Sequence, residues 1–334
     1  MNLDWARLTV RLSRFELLAF GGVIAIFAAT TVVSAGWIDS LRPSADCLGI
    51  FTGAVMGPAD VPPPDCQAAM NAWQSAQYGI AGLSAGLLVF LSFAAGLFLG
   101  VPIVARELER GTSRLAWSMA PSRMRWFLAR MVPILIMLAV LTFAAGVAAD
   151  RFGAATRPTE DMANSFSMFG LRGLLVASRA VFIFALAVVV GAVVARALPA
   201  VILTAVIAYI GLTGGSQVHQ EILKQEAIAV PVDGENLNGG YGYGGNGSGD
   251  WVFDQKFVLP DGTLVGWEYF NDSGPGGFPG GFDENGNPNF PMVSILVPGE
   301  RYRFVETREA LVLAGGSLVA LVLAGFVVSR RRPG

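Results

Sequence analysis

Residues 174–215 read LLVASRAVFIFALAVVVGAVVARALPAVILTAVIAYIGLTGG. Two apolar runs, Leu174–Ala195 and Leu198–Gly215, are divided only by Arg196-Ala197, and Pro199 sits where a helix can start without losing a backbone hydrogen bond. A hydrocarbon core about 30 Å thick takes roughly 20 apolar residues of helix, since lipid offers no partner to a bare backbone amide. The stretch predicts two membrane-spanning helices joined by a tight hairpin. Four further runs of that kind lie at Leu17–Trp37, Tyr78–Val104, Phe127–Ala149 and Ala310–Val328. The fold class is therefore an all-α polytopic membrane protein with six transmembrane helices.

The composition points the same way. Of 334 residues, 53% are hydrophobic and 14% charged, with 23 basic against 25 acidic side chains. That balance suits neither a soluble surface nor a duplex nucleic-acid binder. One histidine and two cysteines leave nothing from which a zinc cluster, a CxxC or an HExxH could be assembled. No catalytic, cofactor-binding or metal-ligating residue is expected.

Arginine placement sets the expected orientation. Arg7, Arg11 and Arg14 precede the first run, Arg106 to Arg130 surround the second connection, Arg196 lies in the hairpin, and Arg330, Arg331 and Arg332 close the chain. Positively charged short flanks are retained in the cytoplasm, so both termini are expected there and the connections 38–77, 150–173 and 216–309 face outward. A cleavable signal peptide ending near Ser34-Ala35-Gly36 is the competing reading of the first run, but cleavage would break the even count. Cys47 and Cys66 share the first outer connection, an oxidising place, where a disulfide is expected and two unpaired thiols are the alternative.

The chain divides into an amphipathic interface helix at 1–16, five spans at 17–215 with an inner loop at 105–126, an outer Gly-rich insertion at 216–309, and a last span with a basic tail at 310–334. Trp5, Leu8, Leu12 and Phe15 form one stripe of the first segment, and Arg7, Arg11 and Arg14 the other. Such a helix serves either as a topogenic flank or as a partner-binding face. In the inner loop, Arg106 and Arg110 lie four apart on a short turn ended by Gly111, and Ser122 can cap the helix after Pro121. Charges of both signs around Leu108, Leu115 and Trp117 suit either a partner's groove or lipid headgroups.

Within the insertion, Ser216–Ala229 is expected to prolong the fifth helix, and Gly234–Gly249 has no capacity for a core. Two β-prone runs, 251–259 and 263–270, flank Pro260-Asp261-Gly262 and predict a small β-hairpin. Ser273–Pro291 then returns to the membrane. Asp283, Asn285 and Asn287 alternate like the start of a calcium loop but lack its glycine and distal glutamate, so they read as a turn. His219 is expected to be exposed or interfacial. Arg179 either snorkels or faces a polar cavity. Gly82 and Gly86, then Gly96 and Gly100, give the small-residue spacing of close helix approach, while Pro102 and Pro133 should bend their helices.

The run VARELERGTSRLAWS at 104–118, followed by PSRMRWFLAR at 121–130, resembles the cytoplasmic loop of actinobacterial ABC transporter permease subunits of the exporter-type, six-span superfamily. The amphipathic start, ARALPA at 195–200 and ERYRFVE at 300–306 resemble that family's interface helix, its arginine-proline link and its approach to the last span. Arg303 and Glu306 replace the family's aromatic and glutamine, and 234–290 matches no family pattern. The resemblance implies a non-catalytic permease subunit of the bacterial plasma membrane. By the same resemblance, Arg106, Glu107, Glu109, Arg110 and Arg114 form a coupling helix in the groove of a separate ABC nucleotide-binding ATPase subunit. Trp5, Arg7, Arg11 and Arg14 form the interface helix. A second permease copy completes a homodimer, and membrane lipid surrounds it. ATP and magnesium fall to the ATPase, because this chain has no GxxxxGK[ST] loop. The alternative function is an ATPase-coupled relay to an extracellular partner through the insertion. An intramembrane enzyme is disfavoured, since no carboxylate or histidine lies inside the six runs.

Overall fold

The computed structural model describes residues 14–51, 62–112, 122–232, 249–266, 268–269 and 290–331. Trp5, Arg7, Arg11, Arg114, the Gly/Asn-rich run 233–248 and the turn at 283–287 lie outside the described residues. Helix α1 spans Arg14–Ser40, α2 Ala45–Phe51, α3 Pro64–Ala76, α4 Gly82–Gly100, α5 Ala105–Glu109, α6 Arg123–Thr156, α7 Gly173–Val194, α8 Ala197–Glu226 and α9 Tyr302–Arg330. Six helical segments among the described residues are long and apolar enough to cross a membrane: α1, the run from α3 through α5, and each of α6 to α9.

Helix α7 is the axis of the bundle. Leu175, Val176, Ala180, Phe184, Ala187, Val188 and Ala192 are fully buried along it, and α4, α6, α8 and α9 all pack against it. α4 approaches it closely at Gly96 and Gly100, as that glycine spacing predicts, whereas a Cβ at Gly86 would meet nothing within 4 Å. A Cβ at Gly96 would collide with the carbonyl oxygen of Ala180, and one at Gly100 would lie 2.6 Å from the Ala187 Cβ and 2.7 Å from the Phe184 oxygen. Around that contact Leu88, Leu99, Phe127, Leu138, Phe184 and Val188 form the main core. The outer faces stay apolar because lipid solvates them: α8 exposes Leu198, Ile202, Val206, Tyr209 and Ile210.

Two helices run past the limits read from hydropathy: α6 continues to Thr156, and α9 begins at Tyr302 rather than Ala310. α8 continues to Glu226, as the expected extension over Ser216–Ala229 requires. The connection 38–77 is itself largely helical among its described residues. Cys66, Met70, Trp73 and Ala76 are buried along one face of α3, where they meet Ile38, Leu48 and Phe152. A disulfide joins Cys47 to Cys66, with Cα atoms 5.4 Å apart. Between α3 and α4 lies a π-helical turn, Gln77–Ala81, kinked at Gly79.

Beyond α8 stands a four-stranded antiparallel sheet of order β1-β4-β2-β3, with β1 Ile228–Val232, β2 Trp251–Val258, β3 Leu264–Val265 and β4 Met292–Val297. β2 and β3 form the hairpin around Pro260–Gly262, pairing Phe257 with Val265 and Val258 with Leu264. The interior strand β4 and the edge strand β1 were not legible in the sequence: each is short, and Pro231 argues against a strand except at an edge, where β1 lies. Leucine at Gly96 should lower the thermal midpoint in detergent by the equivalent of about 1–3 kcal/mol of overpacking. Leucine at Gly86, where an added Cβ meets nothing within 4 Å, should cost less than about 0.5 kcal/mol; equal losses would contradict the packing.

Candidate functional site

The arginine-rich turn between the second and third spans grows out of the end of α4. Pro102 lies in a 3₁₀ turn, Val101–Ile103, that ends the α-helical hydrogen bonding, and α5 then runs five residues, Ala105–Glu109. Ala105 is buried and Leu108 packs on the main core, so the turn is seated rather than suspended. Gly111 closes it with φ +69°, the left-handed conformation that glycine adopts without a Cβ clash.

Its two carboxylates are engaged within the chain. Glu107 accepts hydrogen bonds from the Thr112 hydroxyl at 2.5 Å and the Arg130 guanidinium at 2.7 Å, and Arg130 lies 5.3 Å from the Trp126 ring centre. Ser122 caps the helix that carries Arg130, accepting from the Arg125 amide at 3.2 Å. Glu109 Oε2 accepts the Ala197 amide at 3.0 Å, placing negative charge on the first turn of α8, where free N–H groups and the helix dipole favour it. α5 is thus pinned to α6 through Glu107 and to the α7–α8 hairpin through Glu109. Arg106 and Arg110 are exposed on the outside of the turn. Arg14 opens α1 at its backbone, and Arg114 lies outside the described residues.

Polar clusters at the sheet end were not found by sequence reasoning. Arg172, 2% exposed, donates to Asp150 at 3.0 Å and to the Ser167, Met162 and Ser165 carbonyls, and its guanidinium lies 4.3 Å from the Tyr302 ring centre. Glu306 accepts the Leu174 amide at 3.0 Å, capping α7. Arg179 resolves toward the protein: it donates to Glu309 at 2.6 Å and to the Gly170 carbonyl at 2.9 Å. His219, expected to be exposed or interfacial, is half-buried near the end of α8. Its imidazole stacks on Phe169 of the α6–α7 connection at 5.3 Å, meets the Trp251 ring of β2 edge-on at 6.4 Å and lies 3.9 Å from Glu309 of α9. Each carboxylate here meets a partner far along the chain, a relation that local sequence does not encode. The helix extensions bring Asp150, His219, Glu306 and Glu309 into the end turns of the spanning helices, where the carboxylates serve ion pairs and a cap.

A family model described as ABC-2 membrane transporter related matches residues 20–215, more than half of the chain. The chain belongs to that family. No curated protein and no solved structure matches it. As an ABC-2 family member it is a multi-pass membrane permease subunit of an ABC transporter, and membership implies association with an ABC ATPase subunit. The match runs from α1 into α8 and includes α5; the sheet and α9 fall beyond it. In this ABC-2 chain, Glu109→Ala should cost about 1 kcal/mol of helix capping and speed hydrogen exchange at the 197 and 198 amides roughly fivefold. Unchanged exchange there would contradict the cap.

Proposed function

We propose that the chain is an exporter permease in which α5, held at the cytoplasmic face, docks in a groove of the ATPase subunit and passes the movement of ATP-driven closure to the bundle. The observation that carries this reading is the double attachment of α5. Glu107 ties it to Arg130 of α6 and Glu109 ties it to the amide of Ala197 in α8, so a push on the turn moves two spanning helices together. Arg106 and Arg110 then face the partner, which supplies ATP and magnesium. The clustering of arginine at this end and at the chain terminus supports the cytoplasmic placement.

A homodimer supports the geometry of a shared translocation path. Helix α8 buries only Ala200, Thr204, Ala208 and Leu223 within the chain, leaving a long apolar face for a second copy or for lipid. The relay reading is favoured by one feature, the sheet, which is fixed to the ends of α8 and α9 and lies beyond the matched family region. Transport into inverted vesicles separates the two, because a relay leaves the vesicle lumen empty while ATP is consumed.

Arg110→Glu should reduce ATP-driven transport at least tenfold, on the scale of about 1.4 kcal/mol or more for a lost interfacial charge contact, while ATPase binding weakens and the permease keeps its thermal midpoint. Full coupling in that variant would refute the docking role.

A further inference from the structure

Far from α5, a groove of 470 Å³ runs between α1 and α6 on the membrane-facing surface, lined by Ala29, Val32 and Val33 of the first helix and by Ala144, Ala148 and Arg151 of the second. It is open along its length, and its walls are alanine and valine. Arg151 is the exception. Its side chain is exposed, and among the described residues no carboxylate pairs with it, since the neighbouring Asp150 is bound to Arg172.

The height of that guanidinium matters. Trp37, an exposed residue of the type that settles at headgroup level, lies one helical turn beyond Val33. α6 continues from Arg151 to Thr156, about 7 Å further along the axis. Arg151 therefore sits at the inner edge of the headgroup layer, where an unpaired cation draws an anion. The apolar groove beside it cannot solvate a free inorganic ion, but it can receive hydrocarbon.

We propose that this groove binds one anionic glycerophospholipid, with its phosphate on Arg151 and an acyl chain along the alanine-lined floor. The charge on Arg151 selects the headgroup, and Ala29 and Ala144 leave the width for the chain.

The test uses the full-length protein in detergent with added dioleoylphosphatidylglycerol, dioleoylphosphatidylcholine or dioleoylglycerol, and counts retained lipid by native mass spectrometry. Wild type should hold one phosphatidylglycerol about fivefold more tightly than phosphatidylcholine, the factor given by one interfacial arginine. Arg151→Gln should abolish that preference and Arg151→Lys should keep it. Ala144→Phe, on the exposed side of the groove, should lower retention of all three lipids at an unchanged thermal midpoint. A preference that survives Arg151→Gln, retention that survives Ala144→Phe, or disulfide cross-linking of two Ala144→Cys protomers would each overturn the proposal, the last by placing a second copy in the groove.

Discussion

Helix α4 lies against α7 with no side chain between them at Gly96 and Gly100, and that contact sets the position of everything at the arginine-rich end. The following 3₁₀ turn keeps the same closeness, since a Cβ at Gly191 would lie 3.0 Å from the Val101 oxygen. α5 therefore leaves the bundle beside the end of α7, within reach of the α7–α8 hairpin. A larger residue at either glycine of α4 would push the two helices apart by more than a hydrogen bond can stretch. The Glu109 carboxylate meets the Ala197 amide only because the backbones approach first.

The sheet end uses different chemistry. Arg172, Arg179, Asp150, Glu306 and Glu309 lie in or beside the terminal turns of spanning helices, where an uncompensated charge would be expensive to desolvate. Each is paired: Arg172 with Asp150, Arg179 with Glu309, and Glu306 with the free amide of Leu174. Tyr302, Phe166, Phe169 and Trp251 fill the space between them with edge-on ring contacts. The sheet end of the bundle is thus held by aromatic packing and by charges set in pairs.

Much of this was legible in the sequence, where the physics is local. Lipid forces long apolar runs into helices, so the spans could be read from length alone. The arginine-rich turn was also legible, because Gly111 stops a helix through its left-handed backbone and Ser122 starts one through its side-chain hydroxyl. What escaped was distant pairing. Glu109 reaches an amide 88 residues away, and His219 stacks on Phe169 from a different connection. Strand β4 escaped because a six-residue apolar run gives a weak signal without its neighbours.

The sheet also couples two helices that the membrane alone would leave independent. β1 follows α8 almost at once, β4 leads into α9 through one short turn, and the two strands are bonded from Ile228–Leu296 to Val232–Met292. Arg308 and Glu226 clamp the same junction at 2.5 Å. The pair is built like tweezers with a welded hinge: whatever separates α8 from α9 must act away from the end where strand pairing and an ion pair already join them.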